Sequence, residues 1–171
     1  MPKQCFTRQK GSVTTKACLR GRVVSVEATL PTGKKIGDVE VDVVDGALMV
    51  GHSHVHPGFR RLRVGTALYE AVTDVGCRTG LPVRSDDTRS PFAEAFWRKQ
   101  QGKGRARCMP GVGHFYEGPV KHLTPEERSR LPEPTRHAAD PSIQFWPCQQ
   151  YEITTPCSVP DLEGARRRRR R

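Results

Sequence analysis

Apolar and polar residues alternate through two β-branched runs, RVVSVEATL at 22–30 and KIGDVEVDVV at 35–44. A period of two in sequence rich in Val and Ile predicts strands with one packed and one solvated face. PTGK between the runs and Asp45-Gly46 after them are turn chemistry, so together with ALMVGHSHVH at 47–56 they predict a three-stranded antiparallel meander. The third run starts with consecutive apolar residues, as a strand covered on both faces would. Pro57 and Gly58 stop it, and the period then changes: Val64, Ala67, Leu68, Ala71 and Val72 recur at helical spacing over 63–73. That pattern predicts an amphipathic helix lying on the sheet. A short strand follows at 81–84. Ser90-Pro91 then supplies a hydroxyl cap and a first-turn proline for a helix reaching Gln101, ended by Gly102 and Gly104, with a further strand at 105–108.

Beyond the core the pattern weakens. Residues 109–142 are rich in Gly, Pro, Glu and Arg and predict a loop region with one short helix opened by Thr124-Pro125. Strand character returns in IQFWPCQQYEI at 143–153, interrupted by Pro147. The expected organisation is an N-terminal segment 1–21, a core 22–108, the loop region 109–142, a C-terminal strand and extension 143–164, and a disordered tail 165–171. Net charge is +11 over 171 residues, but the closing run of six arginines, Arg166 to Arg171, supplies six of those charges and leaves a mildly basic body. Such a body suits a polyphosphate ligand as well as nucleic acid, and the tail by itself offers only nonspecific phosphate contacts. No apolar run approaches the roughly 20 residues of a membrane span. The first residues lack the apolar stretch of a secretory signal, so Cys5, Cys18, Cys77, Cys108, Cys148 and Cys157 are expected as thiols in a reducing, cytoplasmic setting. They contain no CxxC pair, and neither structural zinc nor another metal is expected.

The stretch that carries chemistry is HSHVHPGFRRLRVGTALYEAV at 52–72. A strand, an arginine-dense loop and a helix opening on Gly65 and Thr66 put free backbone N–H groups under positive side chains, which is an anion cradle. With its neighbours this segment resembles the acyl-CoA motif of the GNAT superfamily of N-acyltransferases, a Val-x-Pro strand end followed by Arg/Gln-x-x-Gly-x-Gly/Ala. Here Val55-His56-Pro57 precedes Arg60-Arg61-Leu62-Arg63-Val64-Gly65, and SPFAEAFWRKQ at 90–100 is similar to the family's second segment; the likeness spans 22–108. It implies an α/β fold, a central mixed and mostly antiparallel sheet with flanking helices, here with an abbreviated N-terminus. It also implies acetyl-CoA as co-substrate, main-chain contacts from Val55 and His56 to pantetheine, and a pyrophosphate loop of Arg60, Arg61, Leu62, Arg63, Val64, Gly65 and Thr66.

Two positions depart from the pattern. Arg63 stands at the first glycine, where its amide serves if its dihedrals are helical, and Trp97 stands at the tyrosine that usually protonates the departing thiolate. The proton must then come from solvent or from another tyrosine such as Tyr151. His52, His54 and His56 alternate toward one side of the strand, which makes His54 and then His52 the candidate bases. Paired histidines also suit a metal, but the outer two lie roughly 13 Å apart on an extended chain. Asp86 and Asp87 could receive a cationic amine or merely cap a turn. The expected activity is acetyl transfer to an amine of an unidentified acceptor. The family's two N-terminal helices commonly wall the acceptor site and are missing here, so the site is open to a large acceptor or completed by 109–140 or by a second subunit of a homodimer. The competing expectations are a noncatalytic acyl-CoA-binding module and, more remotely, a nucleic-acid-binding protein acting through its tail.

Overall fold

Eight strands join one sheet in the order β1-β2-β3-β4-β5-β6-β10-β7, and a separate pair, β8 and β9, completes the strand inventory among the described residues. The computed structural model describes residues 3–110, 123–154 and 157, with only the backbone of Arg61. Strands β3 (Val23–Thr29), β4 (Lys35–Val44) and β5 (Ala47–Val55) form the expected meander. Before them, β1 (Gln4–Lys10) and β2 (Val13–Arg20) form a hairpin that continues the same sheet. The residue pattern of 1–21 predicts no strand here. The hairpin occupies the stretch where the resemblance implies helices.

Helix α1 (Val64–Thr79) connects β5 to β6 (Val83–Ser85), the one parallel pair of the main sheet. It lays Val64, Leu68, Ala71, Val72 and Val75 on the sheet face formed by Val24, Val26, Val39, Val41, Leu48 and Val50, all of them buried. Each large aliphatic side chain so buried contributes about 1.5–3 kcal/mol. Gly37 sets the closeness of that contact, since a Cβ there would stand 2.9 Å from the His54 carbonyl and 3.2 Å from Leu68 and Val64. The opposite face of β2 to β5 carries Lys16, Ser25, Glu27, Glu40 and Asp42 in solvent. This is the alternation a one-sided antiparallel sheet demands.

Helix α2 (Pro91–Gly102) starts as expected, with the Ser90 hydroxyl accepting from the Ala93 N–H. β7 (Ala106–Met109), α3 (Pro125–Ser129), β8 (Thr135–Arg136) and β9 (Gln144–Phe145) follow. β10 (Gln150–Ile153) then inserts antiparallel between β6 and β7. The tail 166–171 lies outside the described residues.

The expectation of six thiols is overturned. Cys5 pairs with Cys18, Cys77 with Cys157 and Cys108 with Cys148, and no cysteine is left free. Cys5 and Cys18 sit directly opposite one another on the unassigned hairpin, while the other partners lie 80 and 40 residues apart in sequence, so no local spacing reveals them. The step from cysteine usage to a reducing compartment falls with the thiols. No helix among the described residues is long and apolar enough to cross a membrane.

Candidate functional site

Strand β5 does not pair with β4 in one register throughout. Val39 of β4 pairs with Ser53 and Val41 with Val50, so two residues of β4's register match three of β5's, a bulge at Gly51 and His52 opposite Glu40. The extra residue returns Ser53 and Val55 to the α1 side, in line with Leu48 and Val50, and leaves His54 beside Asp38 on the solvated face. Strand β5 meets β6 only through Leu48, Met49 and Val50, and the Asp86 N–H donating to the Val50 carbonyl closes the contact. Past that point the two strands part. The His56 N–H donates to the Ile36 carbonyl on the β4 side. Amide direction alternates along a strand, so the backbone groups of Val55 and Ser53 point into the gap and those of His56 and His54 point away.

The gap opens into a cleft of about 490 Å³ between the end of β5, the first turn of α1, the 86–90 loop and α2. His52, His54, Val55, Arg60, Arg63, Gly65, Thr66 and Asp86 all line it. Val64, Gly65 and Thr66 open α1, where N–H groups have no acceptor four residues back. The Cβ direction of Gly65 meets only the Val55 side chain at 3.9 Å, so a side chain there has room within the protein and would occupy the cleft. Arg63 does not have the helical dihedrals on which its amide was expected to serve. It sits at φ 57°, ψ 28°, the left-handed conformation between the 3-10 turn Pro57–Leu62 and α1. That is glycine's region, and a residue with a Cβ there costs roughly 1–2 kcal/mol.

Other candidates separate. His56 is committed to capping the 3-10 turn, its Nδ1 accepting from the Gly58 N–H at 3.2 Å, so the three histidines do not act as one row. Val64 is core and Leu62 is exposed, which leaves each only a backbone role. The Arg60 guanidinium lies 5.3 Å from the centre of the exposed Phe92 ring at the cleft. Burial and the neighbouring Asp87 carboxylate push the Asp86 carboxyl above the usual range, while the Thr88 N–H bond pulls against them. Asp87 is not among the lining residues.

Tyr151 is withdrawn from the cleft. It is buried, its hydroxyl donates to Glu94 Oε1 at 2.8 Å, and burial with the Glu94 carboxylate pushes the phenol up to about 12. Tyr69 takes its place. Periodicity marks Tyr69 only as one more residue of an amphipathic helix, but its ring stacks on Phe96 and it lines the cleft. Burial raises this phenol, and Ser53, Trp97 and the Arg89 charge partly offset that.

The far wall is held by a buried network around Arg89 and Glu94 that sequence periodicity does not reveal. The Arg89 guanidinium donates to Glu94 Oε2 at 2.6 Å, to the Asp86 carbonyl at 2.6 Å, to the Gln149 carbonyl at 2.8 Å and to the Cys148 carbonyl. Trp146 Nε1 returns a bond to the Arg89 carbonyl at 2.7 Å. A charge-assisted network with every partner satisfied fixes its elements rigidly. The only sequence signal for it is an Arg-x-x-x-x-Glu spacing across a helix cap.

No family model matches the chain. No curated protein matches it either. Among solved structures it is similar to AAC(6')-Iy in complex with the bisubstrate analogue CoA-S-monomethyl-acetylneamine, at 22% identity and TM-score 0.43 over 56% of this chain and 69% of that one. It is also similar to a GNAT-family protein from Bacteroides thetaiotaomicron described as an acetyltransferase, at 15% identity and TM-score 0.44 over 86% of this chain and 70% of that one.

Proposed function

We propose that the chain is an acyl-CoA-dependent N-acyltransferase of the GNAT type, moving an acetyl group from acetyl-CoA to an amine. The parting of β5 from β6 beside the open first turn of α1 carries this reading. A strand edge with free backbone groups at Ser53 and Val55 can pair with the amides of a pantetheine arm. The N–H groups of Val64, Gly65 and Thr66, with Arg60 and Arg63 beside them, suit its pyrophosphate. Chemistry then needs positioning and two proton transfers. The amine nitrogen attacks the thioester carbonyl carbon, the C–S bond breaks, and the sulfur keeps the electron pair. His54, with His52 as the second candidate, removes the amine's proton; Tyr69 donates one to the sulfur. Asp86 lies where a cationic amine would enter, with Asp87 behind it.

Calorimetric titration with acetyl-CoA tests the donor. Binding is expected, and Gly65→Val, which the protein's own packing tolerates, should weaken it at least tenfold, or about 1.4 kcal/mol. Unchanged affinity in the folded variant overturns the cradle. Acetyl transfer to a panel of amines then tests catalysis, where His54→Gln should lower kcat/KM between tenfold and a thousandfold without altering acetyl-CoA affinity. The buried Trp97 at the family's tyrosine position favours the second reading, a noncatalytic acyl-CoA-binding module. Binding without transfer to any amine would establish it.

A further inference from the structure

A groove of about 280 Å³ runs between α1 and α2 and carries charge of one sign. Arg8, Arg63, Lys99, Lys103 and Arg105 line it, and its one lining carboxylate, Glu70, is already held by Lys10 at 2.6 Å. Lys99 and Lys103 stand four residues apart on α2 and its cap, so both ammonium groups reach the same side. Among the described residues neither lysine has an ion-pair partner. The chain leaves β10 at the Arg105 end of this groove: the Thr154 N–H donates to the Arg105 carbonyl, and Cys157 is bonded to Cys77 near the end of α1. From Cys157 to the first of the six arginines is nine residues, a reach of at most about 30 Å. At the Arg63 end the groove meets the first cleft, where the exposed Phe92 ring lies 5.3 Å from the Arg60 guanidinium.

Positive charge therefore continues from Arg63 down α1, roughly 20 Å at the helical rise, to the point where the arginine-bearing segment is fastened. A line of cations that long matches a linear polyanion. A stacked nucleic-acid strand carries a phosphate about every 3.4 Å, so about six of them fit the same length. Proteins that hold single strands without reading their sequence combine a cationic groove with an aromatic ring for a base, and a guanidinium on that ring adds to the attraction. Both parts are present. The Tyr69–Phe96 stack closes α1 against α2, so a duplex would touch only the rim where a single strand enters. We infer that the groove between α1 and α2, continued by the arginines 166–171, is a track for single-stranded nucleic acid. Such a track is independent of the donor proposed above.

Fluorescence anisotropy of a labelled oligothymidylate, titrated with the unreduced full chain over a series of salt concentrations, tests it. The strand should bind, with log K falling linearly in log salt. Each phosphate contact contributes about 0.7 to that slope, so removing 166–171 should reduce it by up to about 4. The Lys99→Gln, Lys103→Gln double variant should reduce it by about 1.4, with the arginines present or removed. Phe92→Ala should weaken binding about tenfold and leave the slope unchanged. No binding by the full chain overturns the track. So does complete loss of binding with the arginines, which would assign every contact to them, and so does an unaltered slope in the folded double variant. Unchanged affinity in Phe92→Ala overturns the stacking contact. A duplex of the same sequence bound as tightly as the single strand overturns the single-stranded assignment. Binding to phosphatidylserine vesicles without binding to the oligonucleotide makes the surface a membrane contact and overturns it as well. Acetyl-CoA titration, which decides the donor, bears on none of these outcomes.

Discussion

Tyr69 tests how a single hydroxyl divides structure from chemistry. Its ring would be held by Phe96 stacking and by the edge of Trp97 even without the oxygen. Ser53 of the parted strand and Trp97 of α2 both favour the ionised hydroxyl, against its burial. Tyr69→Phe keeps the stack and removes the donor, so kcat for acetyl transfer should fall about a hundredfold, the low end of general acid effects. Thermal stability should move by no more than about 1 kcal/mol. Acetyl-CoA affinity should hold. A variant that keeps the full kcat assigns protonation of the sulfur to solvent. Arg63 shows the complementary case, in which side-chain charge and backbone conformation pull apart. The left-handed turn favours glycine, yet an arginine at this position lines the cleft.

At the scale of elements, α2 and the 86–90 loop depend on one buried ion pair. Glu94 has no solvent contact and Arg89 is 2% exposed. Glu94 also receives Tyr151 from β10 and Arg98 from its own helix. Glu94→Gln would leave the Arg89 guanidinium buried without its countercharge, a loss of about 3–5 kcal/mol. A denaturant or thermal melt should register that as a large drop in midpoint. The same variant should loosen the cleft wall that carries Asp86, because Arg89 anchors the Asp86 carbonyl. A melt within error of the unaltered protein would show the network to be redundant. Alternating Val and Ile made β3 and β4 legible in advance, and the Ser90-Pro91 pair did the same for the start of α2. The bulge in β5 was not legible, because nothing in ALMVGHSHV distinguishes an added residue from a strand buried on both faces until Val39 and Val41 supply the register.

For the whole molecule, three disulfides tie distant parts of the chain. The Cys77–Cys157 bridge spans 80 residues, and on chain-entropy grounds closing such a loop stabilises the fold by about 4.5 kcal/mol. Protein unfolded in denaturant without reductant should therefore show no reactive thiols, and adding reductant should lower the melting midpoint substantially. Six titratable thiols in the unreduced protein would overturn the pairing. Cys108–Cys148 joins β7 to the segment whose carbonyls Arg89 grips, so reduction should loosen the cleft wall as well as the sheet edge.

Local order was determined by sequence alone. Strand and helix periods, turn residues, the Ser90 cap, and a basic glycine-bearing loop between a strand and a helix all act within a few residues of one another, and the chain states them directly. The partnerships were decided only in three dimensions. The N-terminal hairpin reads as a polar segment until β3 offers it an edge. Tyr69 becomes a cleft residue only because α2 brings Phe96 and Trp97 against it. The backbone groups of Ser53 and Val55 face open space only because β6 stops pairing at Ser85. Each of these depends on contacts between residues far apart in sequence, where alternation and spacing carry no information about which partner will be found.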